Sequence, residues 1–123
     1  MASNVVGWFE IYVNDMARAK TFYESVFARK LEKIESDELE MWTFPWIEGA
    51  EGCGGALVKM NDVPVGPGGT LIYFLCEDCA VEEKRVAANG GEVLRNKFPI
   101  GQHGFISIAK DTEGNVIGLH SMK

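Results

Sequence analysis

The chain has 123 residues, 46% of them hydrophobic and 24% charged, which is one domain's worth of sequence with enough apolar material for a real core. Its net charge of −6 and pI near 4.9 argue against a basic face for nucleic acid and against docking on anionic lipid. No apolar run approaches the ~18 residues of a membrane span, the start MASNVVGWFE lacks the pattern of a secretory signal, and three cysteines do not make a disulfide framework, so a reducing cytoplasm is the expected compartment.

The first element is VVGWFEIYV, Val5 to Val13, whose β-branched and aromatic residues predict a strand. Asn14-Asp15 offers a helix cap. From Met16 the apolar residues Ala19, Phe22, Tyr23, Val26 and Phe27 recur at helical spacing. Short strands are predicted around Lys30–Glu35, Glu40–Trp46 and Gly55–Met60, with Pro45 near the end of the middle one. NDVPVGPGGT is a connection. Its GPGG lacks the Lys-Ser/Thr and the strand-loop-helix setting of a phosphate loop. The pattern then restarts: a strand over Thr70–Cys76, a cap at Glu77-Asp78, a helix in CAVEEKRVAA stopped by Asn89-Gly90-Gly91, and strands around Glu92–Phe98, Gly104–Ala109 and Val116–Ser121. The order β-α-β-β-β occurs twice.

Laying Asp78 on Asp15, an offset of 63 positions, sets Phe9 on Ile72, Ile11 on Phe74, Val13 on Cys76, Leu31 on Leu94 and Gly55 on Gly118. The chain is thus expected to be one α+β domain of two tandem βαβββ repeats: about residues 4–61, a linker over about 62–69, and about 70–123. Strand alternation predicts that Phe9, Ile11, Val13, Ile72, Phe74 and Cys76 face the helices. Trp8, Glu10, Tyr12, Leu71, Tyr73 and Leu75 then face the other way. A mixed sheet curled around that face makes a cavity lined by aromatics, leucines and one carboxylate, a composition suited to a small molecule.

WFEIYVNDMARAKTFYESVF at the start, KDTEGNVIGLHS at the end and the doubled order between them resemble the vicinal-oxygen-chelate superfamily, the group of glyoxalase I, extradiol dioxygenases, and fosfomycin- and bleomycin-resistance proteins. The resemblance covers essentially the whole chain and implies that fold, small-molecule binding and a homodimer. It also implies metal ligands near Trp8, Gly55, Leu71 and Gly118, with the register at 55 free to slip to Ala56. None of these residue types binds a divalent metal, so no metal and no other cofactor is expected.

His120, two residues past Gly118 and ~7 Å along the strand, is expected on the cavity face as a base or hydrogen-bond partner; the plain alternative is a rim histidine bonded to backbone. Glu10 offers a general base or a cation site, or else a pairing with Lys59 or an arginine across the sheet. Trp8, Tyr12, Tyr73, Leu71 and Gly118 are the expected ligand-binding set. Trp42, Phe44 and Trp46 share one strand face, lining the cavity or contacting a second copy. Glu10 with His103 and His120 has the composition of a non-haem iron site, but nothing in the spacing brings the three together. Cys76-x-x-Cys79 lacks a second pair for zinc, and its acidic neighbours Glu77 and Asp78 would raise the thiol pKa. The acidic run Glu35–Glu40 reads as solvated surface.

The leading expectation is a metal-free protein that binds a small aromatic or cationic molecule, in the manner of bleomycin-resistance proteins. The alternative is a lyase, isomerase or dioxygenase of the superfamily, using a displaced metal or Glu10–His120 acid–base chemistry. A structural or regulatory domain with a plugged cavity is the third reading.

Overall fold

The structure, a computed structural model, describes residues 4–36 and 38–123. Met1–Ser3 and Asp37 of the acidic run lie outside the described residues. The fold is α+β: eight strands and two helices among the described residues, with parallel and antiparallel pairings. The residues fall into two compact units, Trp8–Thr70 and a second made of the chain up to Gly7 with Leu71–Lys123.

In the first unit, β1 (Val6–Tyr12) runs parallel to β4 (Gly54–Lys59), and β3 (Glu40–Thr43) pairs antiparallel with both β4 and β2 (Glu32–Ile34). The third strand ends three residues short of its expected limit. Phe44 N–H still donates to Gly55 O, but Pro45 has no N–H with which to extend the ladder. Helix α1 (Met16–Phe27) starts where Asp15 accepts from Arg18 N–H at 3.0 Å. Met16, Leu31 and Leu57 form the core, with Ile11, Val13, Ala19, Tyr23, Trp42 and Phe44 packed against it. Trp42 and Phe44 therefore lie beneath α1, on the opposite side from Glu10, and do not line the face that carries Trp8, Glu10 and Tyr12. Lys20 Nζ sits 3.4 Å from the Trp42 ring centre, and Glu40 accepts from Trp42 Nε1 at 3.1 Å, which gives one member of the acidic run a structural partner.

Helix α1 ends on Ala28 in the left-handed region, φ 53 and ψ 49, its N–H donating to Glu24 O. An L-residue there costs ~1–2 kcal/mol, part of which glycine recovers and part of which it loses again to its freer unfolded chain. Ala28→Gly is expected to stabilise the protein by about 0.5–1 kcal/mol, read as a higher urea midpoint at unchanged slope. A lower midpoint would mean that the cap is held by something other than backbone conformation.

In the second unit the order is β5 (Thr70–Leu75), β8 (Val116–Ser121), β7 (Phe105–Lys110), β6 (Glu92–Pro99), with β5 parallel to β8 and the rest antiparallel. Helix α2 (Cys79–Ala88) is capped by Asp78, which accepts from Ala80 N–H at 3.0 Å and pairs with Lys97 at 2.8 Å. The Lys97 hydrogen bond holds the Asp78 carboxyl below its ordinary range. Buried Ser121 Oγ accepts from Cys79 N–H at 3.0 Å, which fixes α2 over the face carrying Ser121, Leu119 and Phe74. The alternation expected for both first strands of the repeats is thus observed, although Ile72 stays 40% exposed.

Candidate functional site

The face of β1 away from α1 carries Trp8, Glu10 and Tyr12 at successive alternate positions. Trp8 Nε1 donates to Glu10 Oε2 at 3.1 Å, and Tyr12 Oη donates to Glu10 Oε1 at 2.8 Å. The carboxylate is only 9% exposed and is held between an indole and a phenol on its own strand. Lys59 is not its partner: Glu10 stands beside Ala56 on β4, and Lys59 stands beside Glu40. Each carboxylate oxygen has accepted one bond and keeps a lone pair, so the group can still accept from an ammonium or amide N–H.

In the second unit, Tyr73 and Leu71 are buried on the face of β5 away from α2. Tyr73 stands beside Gly118, and Leu75 beside His120. Ile106 and Ile108 of β7 flank His120 and Gly118 on the same face. His120 faces the side expected, but its ring is engaged: Nε2 lies 2.7 Å from His103 O. A carbonyl only accepts, so Nε2 carries a proton, and in the neutral ring Nδ1 holds the lone pair. The plain alternative, a histidine bonded to backbone, describes its main contact. His103 itself lies in a short 3₁₀ turn, Gly101–His103.

The four positions where the resemblance places metal ligands do not fit a metal. Trp8 offers only an N–H already given to Glu10, and Leu71 offers carbon. Gly118 lies under the Tyr73 ring: a Cβ there would stand 2.8 Å from Tyr73 Cγ and closer still to the ring edge. The position at 55 needs correction. Gly55 pairs with Phe9 and shares its helix-facing side, where a Cβ would lie 2.5 Å from Phe9 Cδ2. The residues beside Trp8 and Glu10 are Gly54 and Ala56, which have no donor either. Among the described residues no three His, Cys, Asp or Glu side chains gather as a metal site.

The Cys76 thiol is pushed up to about 11, first by burial and then by the Glu82 carboxylate on α2, not by the adjacent Glu77 and Asp78 that the sequence suggested. A thiol so raised is a poor nucleophile at neutral pH.

A cleft that the sequence did not point to opens on the α1 side of the first unit, with Arg29 and Glu51 among its lining residues. Both lie in connecting segments, where no periodicity marks them. No helix among the described residues is long and apolar enough to cross a membrane.

Several solved structures share this architecture. Methylmalonyl-CoA epimerase from Streptomyces coelicolor matches with a TM-score of 0.69 and 14% identity, covering 98% of each chain. The epimerase from Mycobacterium tuberculosis matches with a TM-score of 0.70 and 15% identity over 100% of this chain and 93% of that one. A hypothetical protein from Bacillus halodurans C-125 matches with a TM-score of 0.73 and 13% identity over 99% and 96%. At these identities the likeness is one of fold. No curated protein matches the chain in sequence. The sequence profile of the Glyoxalase/Bleomycin resistance protein/Dioxygenase superfamily matches residues 5–119, nearly the full length and including both aromatic-lined strands, and the chain belongs to that superfamily.

Proposed function

We propose that this chain binds a small aromatic or cationic molecule on the β1 face that carries Trp8, Glu10 and Tyr12, and that it does so without a metal or other cofactor. The observation that supports this most is Glu10, a nearly buried carboxylate pinned by an indole N–H and a phenol O–H with lone pairs to spare. An aromatic cation would set its charge against that carboxylate and its body against the two rings. Leu71, Tyr73 and Gly118 offer an apolar surface of similar character in the second unit. The same reading takes the protein as a cytoplasmic homodimer. The exposed Phe22 and Val26, four residues apart on α1, support self-association.

Thermal shift tests the reading, first with a panel of aromatic, cationic and glycopeptide compounds, then with benzyltrimethylammonium against uncharged benzyl alcohol. At a hundredfold excess over Kd a ligand adds ~2.7 kcal/mol, or about 10 °C in Tm for a domain of this size. The cation is expected to raise Tm and the alcohol is not, and Glu10→Gln is expected to abolish the increment. No increment from any compound, or an equal one in Glu10→Gln, would overturn it.

A second reading is favoured by the neighbours named methylmalonyl-CoA epimerase: an isomerase in which Glu10 of the first unit or His120 of the second moves the substrate proton. It predicts uptake of solvent deuterium into methylmalonyl-CoA that is lost in Glu10→Ala or in His120→Ala. No uptake by the wild type, or uptake retained in both variants, removes it.

A further inference from the structure

The cleft on the α1 side has a volume of about 460 Å³, within the range that holds small organic ligands. Phe9 and Ile11 of β1 form part of its lining, and these residues alternate with Trp8, Glu10 and Tyr12, so the cleft lies on the other side of β1 from the face discussed above. The Phe44 ring closes one part of it, 5.7 Å from the Phe9 ring and edge-on to Tyr23 at 5.9 Å. Trp46 lines it while remaining 66% exposed. Rings held against one another in this way are a preformed apolar wall, and an exposed indole at its rim is one that a ligand can cover.

Two charged side chains enter from different segments. Arg29 follows the end of α1, and Glu51 belongs to the connection between β3 and β4. They do not pair with each other, and among the described residues neither side chain has a hydrogen-bond or ion-pair partner. Opposite charges beside one apolar wall restrict what fits. A simple anion would gain Arg29 and face Glu51. A simple cation would gain Glu51 and face Arg29. A hydrocarbon would leave both unused. We infer that the cleft binds a small zwitterion with an aromatic or bulky apolar body, the chemistry of an apolar α-amino acid. The carboxylate goes to the guanidinium fork of Arg29, the ammonium to Glu51, and the body lies against Phe44 and Trp46.

The test is a titration with L-phenylalanine, followed by indole emission and by Tm. 3-Phenylpropionate and phenethylamine serve as probes that each carry one of the two charges, and because an aromatic cation also suits the Glu10 face, only the emission change that disappears in Trp46→Phe is counted for each. Saturable binding at millimolar concentration is expected, with a blue shift that disappears in Trp46→Phe. Arg29→Ala, Glu51→Ala and each half-charged probe should all weaken binding by about tenfold or more. Both replaced side chains are exposed, so the variants keep the fold, and a circular dichroism melt verifies it. Absence of saturable binding overturns the proposal. So does binding that is unchanged in Arg29→Ala, or half-charged probes that bind as well as phenylalanine.

Discussion

Glu10→Ala is expected to lower the unfolding free energy by about 2–4 kcal/mol, and Glu10→Gln by only about 1 kcal/mol. The difference follows from the two donors. Trp8 Nε1–H can only donate, so with alanine at position 10 it faces a void and loses a charge-assisted bond; the Tyr12 hydroxyl loses the same. Glutamine keeps both contacts. Its oxygen takes the Trp8 N–H, and the Tyr12 hydroxyl turns to accept from its amide, so that only the charge assistance is lost. Urea unfolding read by tryptophan emission measures both. If Glu10→Ala matched the wild type to within ~0.5 kcal/mol, the Trp8–Glu10–Tyr12 arrangement would contribute nothing to stability, and its use as a preformed wall for a ligand would fall with it. Glu10→Gln then separates structure from recognition: a small cost in stability with a complete loss of cation binding assigns the charge, not the shape, to the ligand.

Much of this arrangement is legible in the chain because it depends on local periodicity. Asp15 and Asp78 are helix caps, as their positions before two apolar-periodic segments require. Alternation along β1 and β5 places Phe9 and Phe74 on the helix sides and Glu10 and Tyr73 on the others. What the sequence misses depends on register between strands distant in the chain. The gapless offset lays Gly55 on Gly118, yet Gly118 pairs with Tyr73, whereas the counterpart of Tyr73, Glu10, pairs with Ala56. That one-residue slip moves Gly55 to the opposite face, and no composition reveals it. Trp42 and Phe44 share a face, as alternation says, but which face is decided by where α1 docks. The bond from His120 to His103 O joins residues 17 positions apart through a turn whose course no periodicity encodes. Arg29 and Glu51 sit in irregular segments, and that both line one cleft follows from the course of those segments, which no periodicity encodes.

Gly118→Ala is expected to cost about 2–3 kcal/mol, an uncommonly large effect for one added methyl group in a strand, where alanine ordinarily improves on glycine. The cause is the Tyr73 ring. A Cβ at 118 would stand 2.8 Å from Tyr73 Cγ, the root of the ring and not its free end, so the whole side chain would have to leave its buried position. The double variant decides the matter. Tyr73→Ala alone empties a buried site and costs about 3–5 kcal/mol, but in that background Gly118→Ala should be neutral or mildly stabilising, giving a coupling energy near 3 kcal/mol in a double-mutant cycle. A coupling below ~0.5 kcal/mol would mean that the ring does not hold the glycine in place. The result bears on chemistry as well as packing. A carboxylate at 118, where the family resemblance would put a metal ligand, is sterically incompatible with Tyr73 as it stands. Position 8 is an indole committed to Glu10, and position 71 is a buried leucine. Restoring one donor leaves the other positions empty of donors, and a divalent cation needs three or four. The aromatic and aliphatic side chains at those positions offer no donor and present carbon instead, so the misfit to a metal and the apolar character of the two faces are consequences of one set of residues.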